Sequence, residues 1–280
     1  MKLFKVWAVA FLIVNSSACD EEDFNLLGPS NLTTEEIVTG LKSALKVGTD
    51  TATGILSAKD GYYKDEAVKI LMPSEVNRKI NQFKSRNINL GFISLSGADL
   101  YDGFQNSGLG INIPNLQAQE DAILKGLNRA AESAASEAGP IFVNAITGMT
   151  ITEASDILFN QTDTAATHFL RVNTSEDLTS TYEPKIDNAL NQVTIGNKSV
   201  TKAYEDFVND YNAVLNIDLG ANTIGGFMNI QPIGVTNASA FATRQGLNGL
   251  FLKISEEERA IREDPLARVN DILERVFGQL

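Results

Sequence analysis

The 280-residue sequence contains one cysteine, one histidine, one tryptophan and seven prolines. A single cysteine forms no internal disulfide, so the fold rests on its core. One histidine and one cysteine exclude zinc fingers and histidine-rich metal sites, and also Cys-His catalysis if the cysteine is blocked. Basic residues are also scarce, 23 against 35 acidic, a formal charge of −12. That balance excludes a nucleic-acid binder, which needs clustered Lys and Arg facing phosphate. No G-x-x-x-x-G-K-[ST] phosphate loop and no G-x-S-x-G elbow occur. Gly108-Leu109-Gly110 alone is too short to mark a dinucleotide site. What remains is an ordinary globular composition, 43% hydrophobic and 21% charged. A chain of this length buries a core large enough to stand without disulfides or a structural metal.

No apolar run is long enough to span a membrane as a helix. The longest near the start, Val6 to Val14, covers about 14 Å at ~1.5 Å per residue, under half of a ~30 Å hydrocarbon layer. Preceded by Lys2 and Lys5 and followed by Asn15-Ser16-Ser17-Ala18-Cys19, it is expected to be a signal peptide, residues 1–18, that is removed. The sole cysteine after small residues resembles the bacterial lipoprotein signal. That resemblance implies acylation of Cys19, although Ser16 stands where the usual motif has Leu. The alternative is an ordinary secretory signal cleaved after Ala18. Removal of Lys2 and Lys5 leaves 21 basic against 35 acidic residues and moves the balance from −12 to −14. So anionic a surface is repelled by anionic headgroups, and membrane attachment is expected to rest on the acyl chains. Asp20-Glu21-Glu22-Asp23 opens an acidic tether, residues 19–32, either a solvated spacer or a sorting signal.

From Thr33 the periodicity is helical. Thr33 and Glu36 form a capping-box pattern, with Ile37, Leu41, Leu45, Ala52 and Leu56 following as an apolar stripe. Leu178, Tyr182, Ile186 and Leu190 recur every four residues, and Val200, Tyr204, Phe207, Val208, Tyr211 and Leu215 mark a further helix. The alanine-rich stretch 119–138 is expected to be the central helix. Leu266, Val269, Leu273, Val276 and Phe277 behind Pro265 suggest a packed terminal helix. No two-residue alternation persists beyond about five residues. These patterns predict an all-α fold, one multi-helix bundle-like domain over 33–280 with little or no β-strand. Two long glycine-rich loops interrupt it, Arg86–Leu116 and Asp218–Thr236. Long loops within a compact domain are often functional.

Asn128-Arg129-Ala130-Ala131-Glu132, Ala145-Ile146-Thr147-Gly148-Met149-Thr150 and Asp163-Thr164-Ala165-Ala166-Thr167 resemble a bacterial envelope family catalogued as domain of unknown function 4197. Asn248-Gly249-Leu250-Phe251, Glu256-Glu257-Glu258, Ile261 to Arg268 and Val276-Phe277-Gly278 look like its closing signature. Gly61-Tyr62 and Ile70-Leu71-Met72-Pro73 also fit. The resemblance implies a helical, exported, often lipid-anchored protein and brings no activity. The chain departs from the family in its longer glycine-rich loops and in His168, where an aromatic is more usual.

Arg129 and Glu132, three apart on the expected central helix, share a face and need partners if partly buried. Glu258, Arg262 and Arg268 are the expected partners, forming a polar network between the two signatures. Ligand binding or catalysis is the alternative use of the same charges. Glu258–Arg262 and Arg259–Glu263 are i,i+4 pairs. The basic stretch Arg78, Lys79, Lys84 and Arg86 is expected to be a solvated helix face. His168, in a helical run, is expected to be a bystander.

Two functions are compatible with these features. One is a non-enzymatic envelope lipoprotein that binds an envelope protein or an apolar ligand through its glycine-rich loops, with Phe227 and Met228 on the contact surface. The other is a carboxylate-dependent envelope hydrolase using acids such as Glu132 and Glu258. No catalytic set, metal site or cofactor is expected.

Overall fold

The structure, a computed structural model, describes residues 32–91, 93–108, 110–159, 162–192, 194–234 and 237–278. The expected signal peptide, Cys19 and the acidic run lie outside the described residues. The helices and strands all belong to the unit Thr33–Leu280.

Thr33 opens α1 (Thr34–Ser57): its side chain accepts from the Glu36 backbone while the Glu36 carboxylate accepts from the Thr33 N–H at 2.8 Å, the expected reciprocal cap. α2 (Ser74–Lys84) comes after a segment of turns, and α4 (Leu116–Ala135), α5 (Ala138–Gly148), α6 (Ile151–Leu158) and α7 (Ala165–Gln192) continue the helical series. α8 (Val200–Leu215), α9 (Ile224–Met228), α10 (Ala238–Glu263) and α11 (Asp271–Phe277) complete it. The fold is all-α. α4 is central, touching α1, α7, α8 and α10, and its Ala130, Ala131, Ala134 and Ala135 are wholly buried. Small side chains allow this close approach: a Cβ on Gly126 would lie 2.4 Å from Val200 Cγ2. The α7 stripe Leu178, Tyr182, Ile186 and Leu190 is fully buried, as its spacing predicts. Pro184 lies inside α7 without ending it.

The core has two aromatic centres. Phe142 and Phe251 meet edge to face at 6.1 Å. Phe83 packs between Tyr101 at 5.9 Å and Tyr211 at 5.6 Å. Burying such rings supplies much of the driving force for the fold.

The first glycine-rich stretch is ordered rather than looped. β1 (Asn87–Asn89) pairs with β2 (Ser94–Ser96), α3 (Gly97–Tyr101) comes next, and β3 (Phe104–Asn106) pairs with β4 (Ile111–Ile113). Gly91 at φ 83° and Gly110 at φ 64° take the left-handed conformation in the two hairpin turns, which side-chain-bearing residues resist. A third small hairpin, β5 (Thr194–Ile195) with β6 (Lys198–Ser199), joins α7 to α8. These three antiparallel pairs are the only sheets among the described residues.

The terminal helix is shorter than its apolar spacing predicts. Pro265 opens a separate 3-10 turn, Pro265–Ala267, so Leu266 and Val269 leave the stripe and are 90% and 68% exposed. Asn270 then caps α11, where Leu273, Val276 and Phe277 are buried.

Candidate functional site

The signature charges form two clusters, not the single network expected. In the first, the Arg129 guanidinium bonds both Glu132 and Asp60. The other oxygen of Glu132 accepts the N–H groups of Tyr62 and Tyr63, each at 3.3 Å. One turn before, the buried Asn128 side chain accepts the Ile70 N–H and donates to the Ile70 carbonyl, both at 2.8 Å. α4 thus fastens segment 58–73, a run of turns that satisfies only part of its own backbone, with Gly61 and Lys64 donating to Ala58 and Asp60 and both Val68 and Lys69 donating to Asp65. Asp60 is held below the usual carboxylate range by hydrogen bonds from Lys64 and then Arg129. Sequence spacing offered no sign of Asp60 as the partner.

In the second cluster, Glu258 accepts the backbone N–H of Ala166 at 3.0 Å and of Thr167 at 2.7 Å, in the first turn of α7. The Thr167 hydroxyl donates to it at 2.8 Å. Arg262, paired with Glu258 at 3.1 Å, donates to the carbonyls of Ile157 at 3.1 Å and Leu158 at 3.3 Å, the last of α6. A carboxylate therefore meets the positive end of one helix and a guanidinium the negative end of another. Arg268 donates to the carbonyls of Ile261 and Arg262 and holds the chain where α10 ends. Arg259 pairs with Asp163 at 2.6 Å instead of the expected Glu263.

Of the basic stretch, Arg78 is exposed as a solvated face requires, but Lys79, Lys84 and Arg86 are turned to protein partners. Lys79, largely buried, donates to the Pro232 carbonyl, and Arg86 donates to the carbonyls of Met228 and Asn229. Lys84 binds Gln117 and Glu120. The carbonyls that Lys79 and Arg86 reach lie at or beyond the end of α9 and lack helical partners, so cations are drawn inward to them. Asn212 repeats the clamp of Asn128, accepting the Ile233 N–H at 2.8 Å and donating to its carbonyl at 2.9 Å.

The second glycine-rich stretch is therefore pinned between Met228 and Ile233, and part of it faces the first. Leu90 and Gly108 from one, with Leu219, Ala221 and Phe227 from the other, line a cleft of about 610 Å³. Phe227 is 37% exposed, whereas Met228, 1% exposed, belongs to the core and not to a contact surface. In a five-residue helix adjacent side chains point about 100° apart, so only one of the two can face outward. His168 is exposed in a shallower groove between α6 and α7. Among the described residues no group of three His, Cys, Asp or Glu is arranged to hold a metal ion, and no helix is long and apolar enough to cross a membrane.

Helical packing around α4, two signature charge clusters and a pinned loop cleft define one class of domain. The chain belongs to the family described as "Protein of unknown function (DUF4197)", which matches residues 31–91 and 109–278. No curated protein and no solved structure matches the chain. The family match lapses over 92–108, the stretch that carries β2, α3 and β3. It continues through the second glycine-rich stretch.

Proposed function

We propose that the chain is a cell-envelope lipoprotein, tethered through acyl chains on Cys19, whose helical domain is a non-enzymatic binding module. Its contact surface is the cleft between the two glycine-rich stretches, and its ligand is an envelope protein or an apolar molecule. The carrying observation is the convergence of two stretches distant in sequence on one cleft, with Phe227 left open to solvent while the backbone around it is pinned. A fixed surface loses little conformational entropy on binding. The acids available to a hydrolase reading are otherwise engaged: Glu132 and Glu258 each accept two backbone N–H groups and a guanidinium.

The test is mass spectrometry of molecules that co-purify with the chain, compared with Phe227→Ser and Leu219→Ser variants. Loss of the same species from both variants supports the cleft. Identical co-purifying species in all three proteins would sink it. Membrane fractionation of Cys19→Ala tests the tether: release into the soluble fraction is expected, and retention in the membrane refutes acylation as the anchor.

A further inference from the structure

A second cleft, of about 720 Å³, opens between segment 69–77 and the start of α10. Its lining includes Lys69, Leu71, Glu75, Asn237, Phe241 and Arg244. Its charge runs against that of the whole chain, since two cations face one acid in a protein of formal charge −12. The acid is already countered, with Glu75 lying 3.4 Å from Lys79 Nζ. Arg244 is exposed and has no ion-pair partner among the described residues. Lys69 is itself paired with Glu66 at 3.1 Å and lies 5.2 Å from the Tyr63 ring centroid, so Arg244 is the uncountered cation of the cleft. Beside them, Leu71 is 49% exposed, an apolar side chain within the Ile70-Leu71-Met72-Pro73 motif that the core does not use.

Both walls are fixed. Asn128 clamps Ile70 next to Leu71, and the Tyr62 hydroxyl donates to the Gly246 carbonyl of α10 at 2.8 Å. The first turn of α2 borders the cleft with no side-chain cap at Pro73, which adds partial positive charge to that of Arg244. A guanidinium is suited to a planar carboxylate or a phosphate. A cleft of this size is within the roughly 300–1,000 Å³ typical of small-molecule sites.

We propose that this cleft binds a monomeric anionic amphiphile, a molecule with a carboxylate or phosphate-monoester head and an apolar tail. The head contacts Arg244 and Lys69, and the tail lies along Leu71 and Phe241. This site is separate from the loop cleft and does not rest on it.

The test is calorimetric titration of the full-length chain carrying Cys19→Ala, which keeps its own acyl chains out of the assay. The probes are octanoate, octyl phosphate, octanol and inorganic phosphate. At least one anionic amphiphile is expected to bind ten times more tightly than either octanol or inorganic phosphate, and the better of the two identifies the head. Arg244→Glu is expected to weaken that binding at least tenfold. Lys125→Glu, the same charge change at a lysine outside the cleft, should leave it unchanged, as should Phe227→Ser. Arg244 is exposed, so thermal melting should confirm that its variant folds. Octanol binding as well as octanoate, an Arg244→Glu variant with unaltered affinity, or binding to phosphatidylglycerol vesicles without binding to the monomeric probes would each overturn the proposal.

Discussion

Glu258 and Arg262, one turn apart on α10, terminate two different helices: the carboxylate caps the start of α7 and the guanidinium caps the end of α6. Their side chains are 9% and 11% exposed, so each depends on the other for charge neutrality. Removing one member of a buried pair leaves an uncompensated charge. Glu258→Gln is therefore expected to lower unfolding free energy by about 3 kcal/mol, measured by urea denaturation. Arg259→Ala, which breaks a pair 45% exposed on both sides, should cost less than about 1 kcal/mol. A fully stable Glu258→Gln protein would remove the structural role assigned to this charge.

The close contact between α4 and α8 predicts a coupling that can be measured. Gly126→Ala places a methyl against the Val200 side chain and is expected to cost about 1–3 kcal/mol through overpacking. Val200→Ala opens space at the same point. The double variant should be more stable than the sum of the two single effects implies, by about 0.5 kcal/mol or more in a double-mutant cycle. Strict additivity would show that the helices do not meet as described.

Phe227 and Met228 are neighbours with opposite fates. Met228→Ser empties a core position and is expected to cost about 2–5 kcal/mol. Phe227→Ser should cost about 1 kcal/mol or less, because the ring is already part exposed. Chemical denaturation of the two variants checks the ordering.

Asp60 sets a pH dependence. Its folded-state pKa lies below the ordinary 3.8, first through Lys64 and then through Arg129. A depressed carboxylate contributes stability above its unfolded-state pKa and loses that contribution as pH falls through the folded one. The melting temperature of the unaltered protein should exceed that of Asp60→Asn by a constant margin at neutral pH. The margin should shrink as pH drops below 3.8. A margin that persists to about pH 2, well below the ordinary carboxylate range, would mean the charge on Asp60 is not what stabilises the segment.

Much of this architecture is local and legible in the sequence. The capping box at Thr33, the four-residue stripe on α7 and the small-residue face of α4 all arise from spacings within one helix. The polar partners are not local. Asp60 lies 69 positions from Arg129, and Ala166 lies 92 from Glu258, so no spacing rule links them. Leu266 and Val269 fit a helical stripe by spacing, yet the chain leaves α10, turns at Pro265 and restarts only at Asp271. The basic stretch misleads for a similar reason. Arg86 serves carbonyls 142 and 143 positions away, which a helical wheel cannot show. Of the candidate cleft, the glycine-rich stretches are visible in composition, but their meeting and the inward turn of Met228 depend on tertiary packing.

The caps on α6 and α7 also come late in the chain. Both helices leave the ribosome before α10, whose carboxylate and guanidinium complete them from about a hundred positions downstream. Until α10 arrives, the end of α6 and the start of α7 lack these two caps, although α7 already has α4 and α5 to pack against and α6 has α1. Truncation before Glu258 should accordingly loosen the α6–α7 corner, not merely shorten the protein, while the α7 stripe stays packed on α4.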